Sequence, residues 1–224
     1  MKIRRLTIQF NHPTNLQGVS AFRGAIASKI GKEHSWFHQH LTDGNLAYRY
    51  PLIQYKSINS FSSIVCLSHA VDEIHNLFNQ DNWEINIKGK KVALEIENLD
   101  LGNVTLQVKE NSYQYVIKNW LALNDKNYKR YKEYSDIDQL DMLEKILIGN
   151  ILAFAKGVDW EIDKEVKLRI LNIIKVKSLR YKNTQLMAFD VDFSTNAFLP
   201  NFIGLGKGVS HGYGVINHKK NTNR

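Results

Sequence analysis

The chain has 224 residues, a single cysteine and a formal charge of +8, from 30 Lys and Arg against 22 Asp and Glu. This length allows one large domain or two of about 100 residues, each able to bury a core. The lone Cys66 excludes an intramolecular disulfide, and no apolar run approaches the roughly 18 residues of a membrane span. Residues 1–8 are too short and too polar for a secretory h-region, so a soluble cytoplasmic protein is expected. The positive balance favours a polyanionic partner, because Lys and Arg that neutralise phosphates release counterions.

Residues 2–10 alternate as a strand, with Ile3, Thr7 and Gln9 on one side and Arg4, Leu6, Ile8 and Phe10 on the other. After a loop broken at Pro13, the residues Val19, Phe22, Ile26 and Ile30 recur at three- and four-residue steps. They form one helical stripe that stops at Gly31. A polar segment with three histidines follows. Residues 46–56 are rich in β-formers, with Pro51 marking an edge or bulge, and a turn at Asn59 and Ser60 leads into a strand over 61–67. Ser68 is a predicted cap for a helix whose apolar face is Ala70, Val71, Ile74, Leu77 and Phe78. Residues 83–87 and 91–96 read as a hairpin. The order strand, helix, strand, strand, helix, strand is the split βαβ arrangement of a ferredoxin-like domain, which leaves one sheet face open.

A glycine-containing polar link at 98–103 separates a first domain, 1–99, from a second, 100–224. In the second, strands are expected at 103–109 and 113–123, then a basic segment at 126–132. A long helix begins at a Ser135 cap supported by Asp138, runs through Leu140, Leu143, Leu147, Ile151 and Phe154, and stops at Gly157. Strands at 166–181 and 184–193 follow. This half is a decorated repeat of the first in topology, without a clear sequence repeat.

Three features carry chemistry. The run from Lys126 to Lys132 mixes four cations with two tyrosines, and residues 175–182 hold four cations and no acid. Aromatics between cations suit unstacked bases together with phosphates, which makes Lys129 and Arg130 candidate RNA contacts; a solvated basic face with half-buried tyrosines is the alternative. His34, His38 and His40 form the second feature. Histidine titrates near neutrality, so two of them around one phosphodiester suffice to take a proton from one oxygen and give one to another. A metal site competes: His34 and His38 would share a helical face, and His38 and His40 a strand face. No regular element presents all three and no nearby carboxylate pair completes the set, so no metal or cofactor is expected. A polar loop whose histidines cap backbone groups is the third reading.

The third feature spans Gly204 to Gly214 and places five of the chain's thirteen glycines in eleven residues. Glycine admits φ > 0 and close backbone approach, so successive N–H groups can cradle a phosphate. Gly204, Gly206, Gly208, Gly212 and Gly214, with Lys207 and His211, are the candidate contacts. The spacing excludes a nucleotide-triphosphate loop, and too little chain follows for a dinucleotide βαβ unit. A glycine-rich hairpin closing the last sheet remains open.

Taken together, the ferredoxin-like order, the histidines after its first helix, the basic surface and the loop Gly-Leu-Gly-Lys-Gly-Val-Ser-His-Gly-Tyr-Gly resemble the CRISPR repeat-processing endoribonucleases of the RAMP superfamily. The resemblance implies an α+β fold of tandem ferredoxin-like domains with the glycine-rich loop in the second. It also implies metal-independent cleavage of precursor guide RNA within each repeat, leaving 2′,3′-cyclic phosphate and 5′-hydroxyl ends. The family's catalytic histidine maps onto the 34–40 segment, with His40 as lead, His38 as partner and His34 third; Tyr48, Arg49 and Lys56 are weaker candidates. The partner expected is CRISPR repeat RNA, together with effector-complex proteins, for a monomer or a homodimer. The alternative is a non-catalytic RNA-binding subunit of an effector complex.

Overall fold

The computed structural model describes residues 1–31, 34–38 and 50–219, residues 35 and 38 by backbone only. The chain divides into two compact units, one of Lys2–Thr105 with Ser210–Gly212, the other of Met1, Leu106–Val209 and Tyr213–Arg224.

The N-terminal unit runs β1 (Lys2–Pro13), α1 (Leu16–Ile30), a short α2 (Ser35–His38), β2 (Ile53–Ile58) and β3 (Phe61–Leu67). A 3-10 turn (Ser68–Ile74) then leads into α3 (His75–Phe78), followed by a hairpin of β4 (Glu84–Ile87) and β5 (Lys90–Ala93), and by β6 (Ile96–Thr105). The antiparallel sheet has the order β2-β3-β1-β6, with the last strand beside the first, as in a ferredoxin-like domain. Alternation places Leu6, Ile8 and Phe10 on the face that receives Val19, Phe22, Ile26 and Ile30 of α1, and all seven are buried. Phe22 is central, with its ring 5.7 Å from Phe10 and edge-on to Tyr55 at 6.0 Å; each such buried side chain contributes roughly 1.5–3 kcal/mol. Asn15 caps α1 by accepting the Gly18 N–H at 3.1 Å.

The C-terminal unit comprises β7 (Gln107–Trp120), α4 (Asp125–Glu133), α5 (Asp136–Gly157), β8 (Leu168–Tyr181), β9 (Thr184–Phe198) and β10 (Val215–His218); a 3-10 turn (Val209–His211) falls in the chain between β9 and β10, its Ser210 and His211 counted with the N-terminal unit. Its sheet order β10-β7-β9-β8 repeats the ferredoxin-like arrangement. Ser135 accepts the Asp138 N–H at 3.3 Å and starts α5, as the sequence predicts. Leu143, Leu147, Ile151 and Phe154 bury its inner face. The carboxylate of Glu144 accepts the Ile170 N–H at 2.8 Å and ties α5 to β8. Between the third and fourth strands, where a ferredoxin-like domain has its second helix, stands the glycine-rich segment with a single 3-10 turn.

Several expectations change. The predicted link at 98–103 is part of β6, which pairs with β1 from Lys2–Thr105 to Phe10–Ile96, so the units meet at Thr105 and Leu106 rather than between residues 99 and 100. The strand escaped the hydrophobic pattern because it lies at the sheet edge and is mostly exposed. The fourth strand of the first sheet is therefore β6, and the 83–96 hairpin is an addition. Ser68 does not cap a helix: it has φ 54°, and the segment begins as a 3-10 turn without a side-chain cap. The basic 126–132 segment is helical and lies within α4. The sheet face turned away from α1 is not open at β2 and β3, where Gln54, Lys56, Ser63 and Val65 are fully buried.

Candidate functional site

His38 is the last residue of α2, and His40 lies outside the described residues, as do Tyr48 and Arg49. The flanking residues explain how α2 is anchored. Phe37 is buried, and the Trp36 ring meets His69 edge-on at 4.7 Å. The Phe37 N–H donates to the carbonyl of His34 at 3.1 Å, and His34 itself is half-buried. The remaining histidines sit elsewhere. His12 contacts the Ser62 hydroxyl at 2.8 Å, and His218 packs on Tyr115 at 4.4 Å and Phe198 at 4.9 Å. Burial holds both below the ordinary histidine pKa.

Lys56 on β2 lies opposite Ser63 of β3 and has no exposed surface. Its neighbour Tyr55 points to α1, so alternation directs Lys56 to the other sheet face. Burial lowers its pKa from 10.5 to about 7, which brings the amine into the range useful for proton transfer. The same shift makes stability depend on pH. Below about 7 both states carry the proton and the buried charge penalises the fold in full. Between about 7 and 10.5 the unfolded chain keeps a proton that the native state has shed, so stability rises with pH across that window. Urea unfolding of the wild type and of Lys56→Met should therefore show a free-energy difference that shifts in favour of the wild type by a few kcal/mol from neutral to alkaline pH. A difference independent of pH would contradict this account of Lys56.

In the glycine-rich segment, Gly204 bridges Val215, and Lys207 bridges Leu121. Backbone N–H groups of the segment are used within the fold: Leu205 donates to Gly214, Lys207 to Leu121, Tyr213 to Gly208 and Gly214 to Asn119. Packing accounts for Gly206, Gly208, Gly212 and Gly214. A Cβ on Gly206 (φ 91°) would lie 2.8 Å from the Trp120 indole nitrogen, and one on Gly214 (φ 61°) would lie 1.9 Å from the Leu205 carbonyl oxygen. Gly208 faces Tyr181 and Tyr213, while Gly212, counted with the N-terminal unit, faces Val19 and Leu16 of α1. His211 in that same portion shares a 3.0 Å hydrogen bond with Ser20 of α1. Lys207 is exposed, its ammonium 5.6 Å from the Tyr181 ring centroid. The segment thus closes the second sheet through its β-bridges and presents one cation.

Lys129 and Arg130 lie exposed on α4. The Arg130 guanidinium is engaged, donating to the Tyr134 hydroxyl at 3.0 Å with its central carbon 5.4 Å from that ring's centroid. Sequence reasoning missed a groove of about 500 Å³ between the start of α4 and the β8–β9 hairpin. Its only advance signal was Tyr128, inside the basic aromatic run.

A family model described as the Cas6b N-terminal domain matches residues 1–105, and one described as the Cas6b C-terminal domain matches residues 107–219. A crystal structure of Cas6b superposes with a TM-score of 0.89 at 26% identity, covering 98% of this chain and 100% of that one. A crystal structure of the CRISPR RNA processing endoribonuclease Cas6b gives a TM-score of 0.74 at 24% identity over 98% and 100% of the two chains. An uncharacterised protein of Methanocaldococcus jannaschii is 34% identical over 134 residues, which is 59% of this chain and 90% of the relative.

Proposed function

The chain belongs to the Cas6b family, and from that membership we propose that it is a metal-independent endoribonuclease that cuts CRISPR precursor RNA within its repeats. The observation that carries the reading is that the two family models together span both compact units. The chemistry balances with imidazoles alone. One histidine takes the proton of a ribose 2′-hydroxyl, and the 2′-oxygen attacks the adjacent phosphorus. The bond from phosphorus to the 5′-oxygen breaks, and a second histidine gives that oxygen a proton. The products are a 2′,3′-cyclic phosphate and a 5′-hydroxyl.

His40 leads in this proposal, His38 is its partner and His34 is third. The net charge of +8, with Lys129 and Lys207 exposed, supplies attraction for the RNA backbone. Arg130 and the 204–214 segment with His211 add contacts on the same reading. The test is incubation of the purified protein with RNA bearing consecutive repeats of the host array. The expected result is one cut per repeat. Tight binding with no cut under any condition would instead assign the chain as a non-catalytic RNA-binding subunit.

A further inference from the structure

The groove beside α4 belongs wholly to the C-terminal unit and is built from two segments distant in sequence. Its apolar lining comes from Leu123, Val176, Leu186 and Met187 together with the ring of Tyr128. Val176 is 50% exposed and Tyr128 38% exposed, so both offer apolar surface to a ligand. Its polar lining is oriented. The side-chain oxygen of Asn124 accepts the Asn127 N–H at 2.8 Å as the cap of α4, and that of Gln185 accepts the Ser178 hydroxyl at 3.1 Å. Each amide thereby uses its oxygen within the fold and keeps an NH₂ group that can donate. Asp125 lines the same groove and accepts hydrogen bonds. The Lys132 ammonium lies 5.4 Å from the centroid of the Tyr128 ring, and Lys129 is exposed on the same helix. Lys177 also lines the groove but is committed to Asp190, at 2.6 and 2.8 Å.

We propose that this groove is a slot for one unpaired nucleobase of the bound RNA, stacked on Tyr128 above Val176 and Met187. The parts of a nucleotide have counterparts here. The flat face of a base has the tyrosine ring and the apolar floor, its edge has two amide donors and one carboxylate acceptor, and its phosphate has Lys132 and Lys129. Stacking of a base on an aromatic side chain contributes about 1–3 kcal/mol, enough to fix the register of a strand held otherwise by charge. Such a site recognises single-stranded RNA, since a paired base could not enter it. The slot rests on the RNA-processing reading and adds to it a place in the C-terminal unit that selects which stretch of unpaired RNA is engaged.

The test uses the full chain and a random-sequence single-stranded RNA pool. Ultraviolet crosslinking followed by peptide mapping should place RNA on the peptides holding Tyr128 or Met187. Tyr128→Ala should lose that crosslink and bind the pool roughly 5- to 150-fold more weakly, the equivalent of the stacking range. Tyr128→Phe should restore both, and Met187→Glu, which puts a carboxylate in the slot, should repeat the loss. If wild-type protein binds the pool while Tyr128→Ala and Met187→Glu keep its affinity and crosslinks, the slot is overturned and the RNA-processing reading survives. If the wild type binds repeat RNA of the host array but not the pool, the slot is overturned alone; if it binds neither, the RNA-processing reading falls and the slot with it.

Discussion

Replacing His40 with alanine should lower the rate of RNA cleavage by roughly 10²–10⁴-fold while leaving RNA affinity unchanged. A positioned imidazole acts on the proton in the transition state and adds little to ground-state attraction, which comes from cations spread over the surface. His38→Ala should behave alike, because the reaction needs one group to accept a proton and another to donate one. The double variant should fall little below the weaker single variant, as groups that act as a unit are not additive. His38 ends α2, which is anchored by the buried Phe37 and by Trp36 packing on His69. Single-turnover cleavage and filter binding on the same preparations separate the two quantities. Undiminished cutting by the double variant would remove the histidine assignment.

Gly214→Ala should be the most damaging single substitution in the glycine-rich segment. Its φ of 61° is unfavourable for any residue with a Cβ, and that Cβ would lie 1.9 Å from the Leu205 carbonyl oxygen, which is backbone and cannot rotate aside. The left-handed conformation costs about 1–2 kcal/mol and overpacking about 1–3 kcal/mol, together about 2–5 kcal/mol of stability. The same residue donates its N–H to Asn119 and accepts the Leu205 N–H, so relief by backbone movement would break both bonds. Gly149 provides the contrast. It is an exposed position inside α5 with nothing within 4 Å of the place a methyl group would take, and Gly149→Ala should raise stability by about 0.5–1 kcal/mol. Denaturant unfolding of the two variants checks both signs; a Gly214→Ala protein as stable as the wild type would show that the segment is not held by this packing.

Much of the fold was legible because burial wrote a period into the sequence. The Val19, Phe22, Ile26 and Ile30 stripe, the Ser135 cap and the alternation of β1 each reflect a local rule that the tertiary structure respects. β6 was not legible, since an edge strand with little burial on either face carries no alternation. Nor was the loss of the second helix in the C-terminal unit, where one 3-10 turn and the glycine-rich segment take its place. The glycines were read as a phosphate cradle, yet the contacts of Gly206 with Trp120 and of Gly214 with Leu205 give them a packing reason that only the fold reveals. The groove was invisible for another reason: no spacing rule links Tyr128 on α4 to Val176 and Met187 on the β8–β9 hairpin.

The central claim is that this chain cuts RNA by internal attack of the 2′-hydroxyl, with protein side chains moving the protons. The most direct measurement is the chemical identity of the ends left on repeat RNA after incubation with the purified protein in excess EDTA. The account predicts undiminished cleavage, with a 2′,3′-cyclic phosphate on one fragment and a 5′-hydroxyl on the other. Cleavage abolished by EDTA, or fragments ending in a 3′-hydroxyl and a 5′-phosphate, would contradict it.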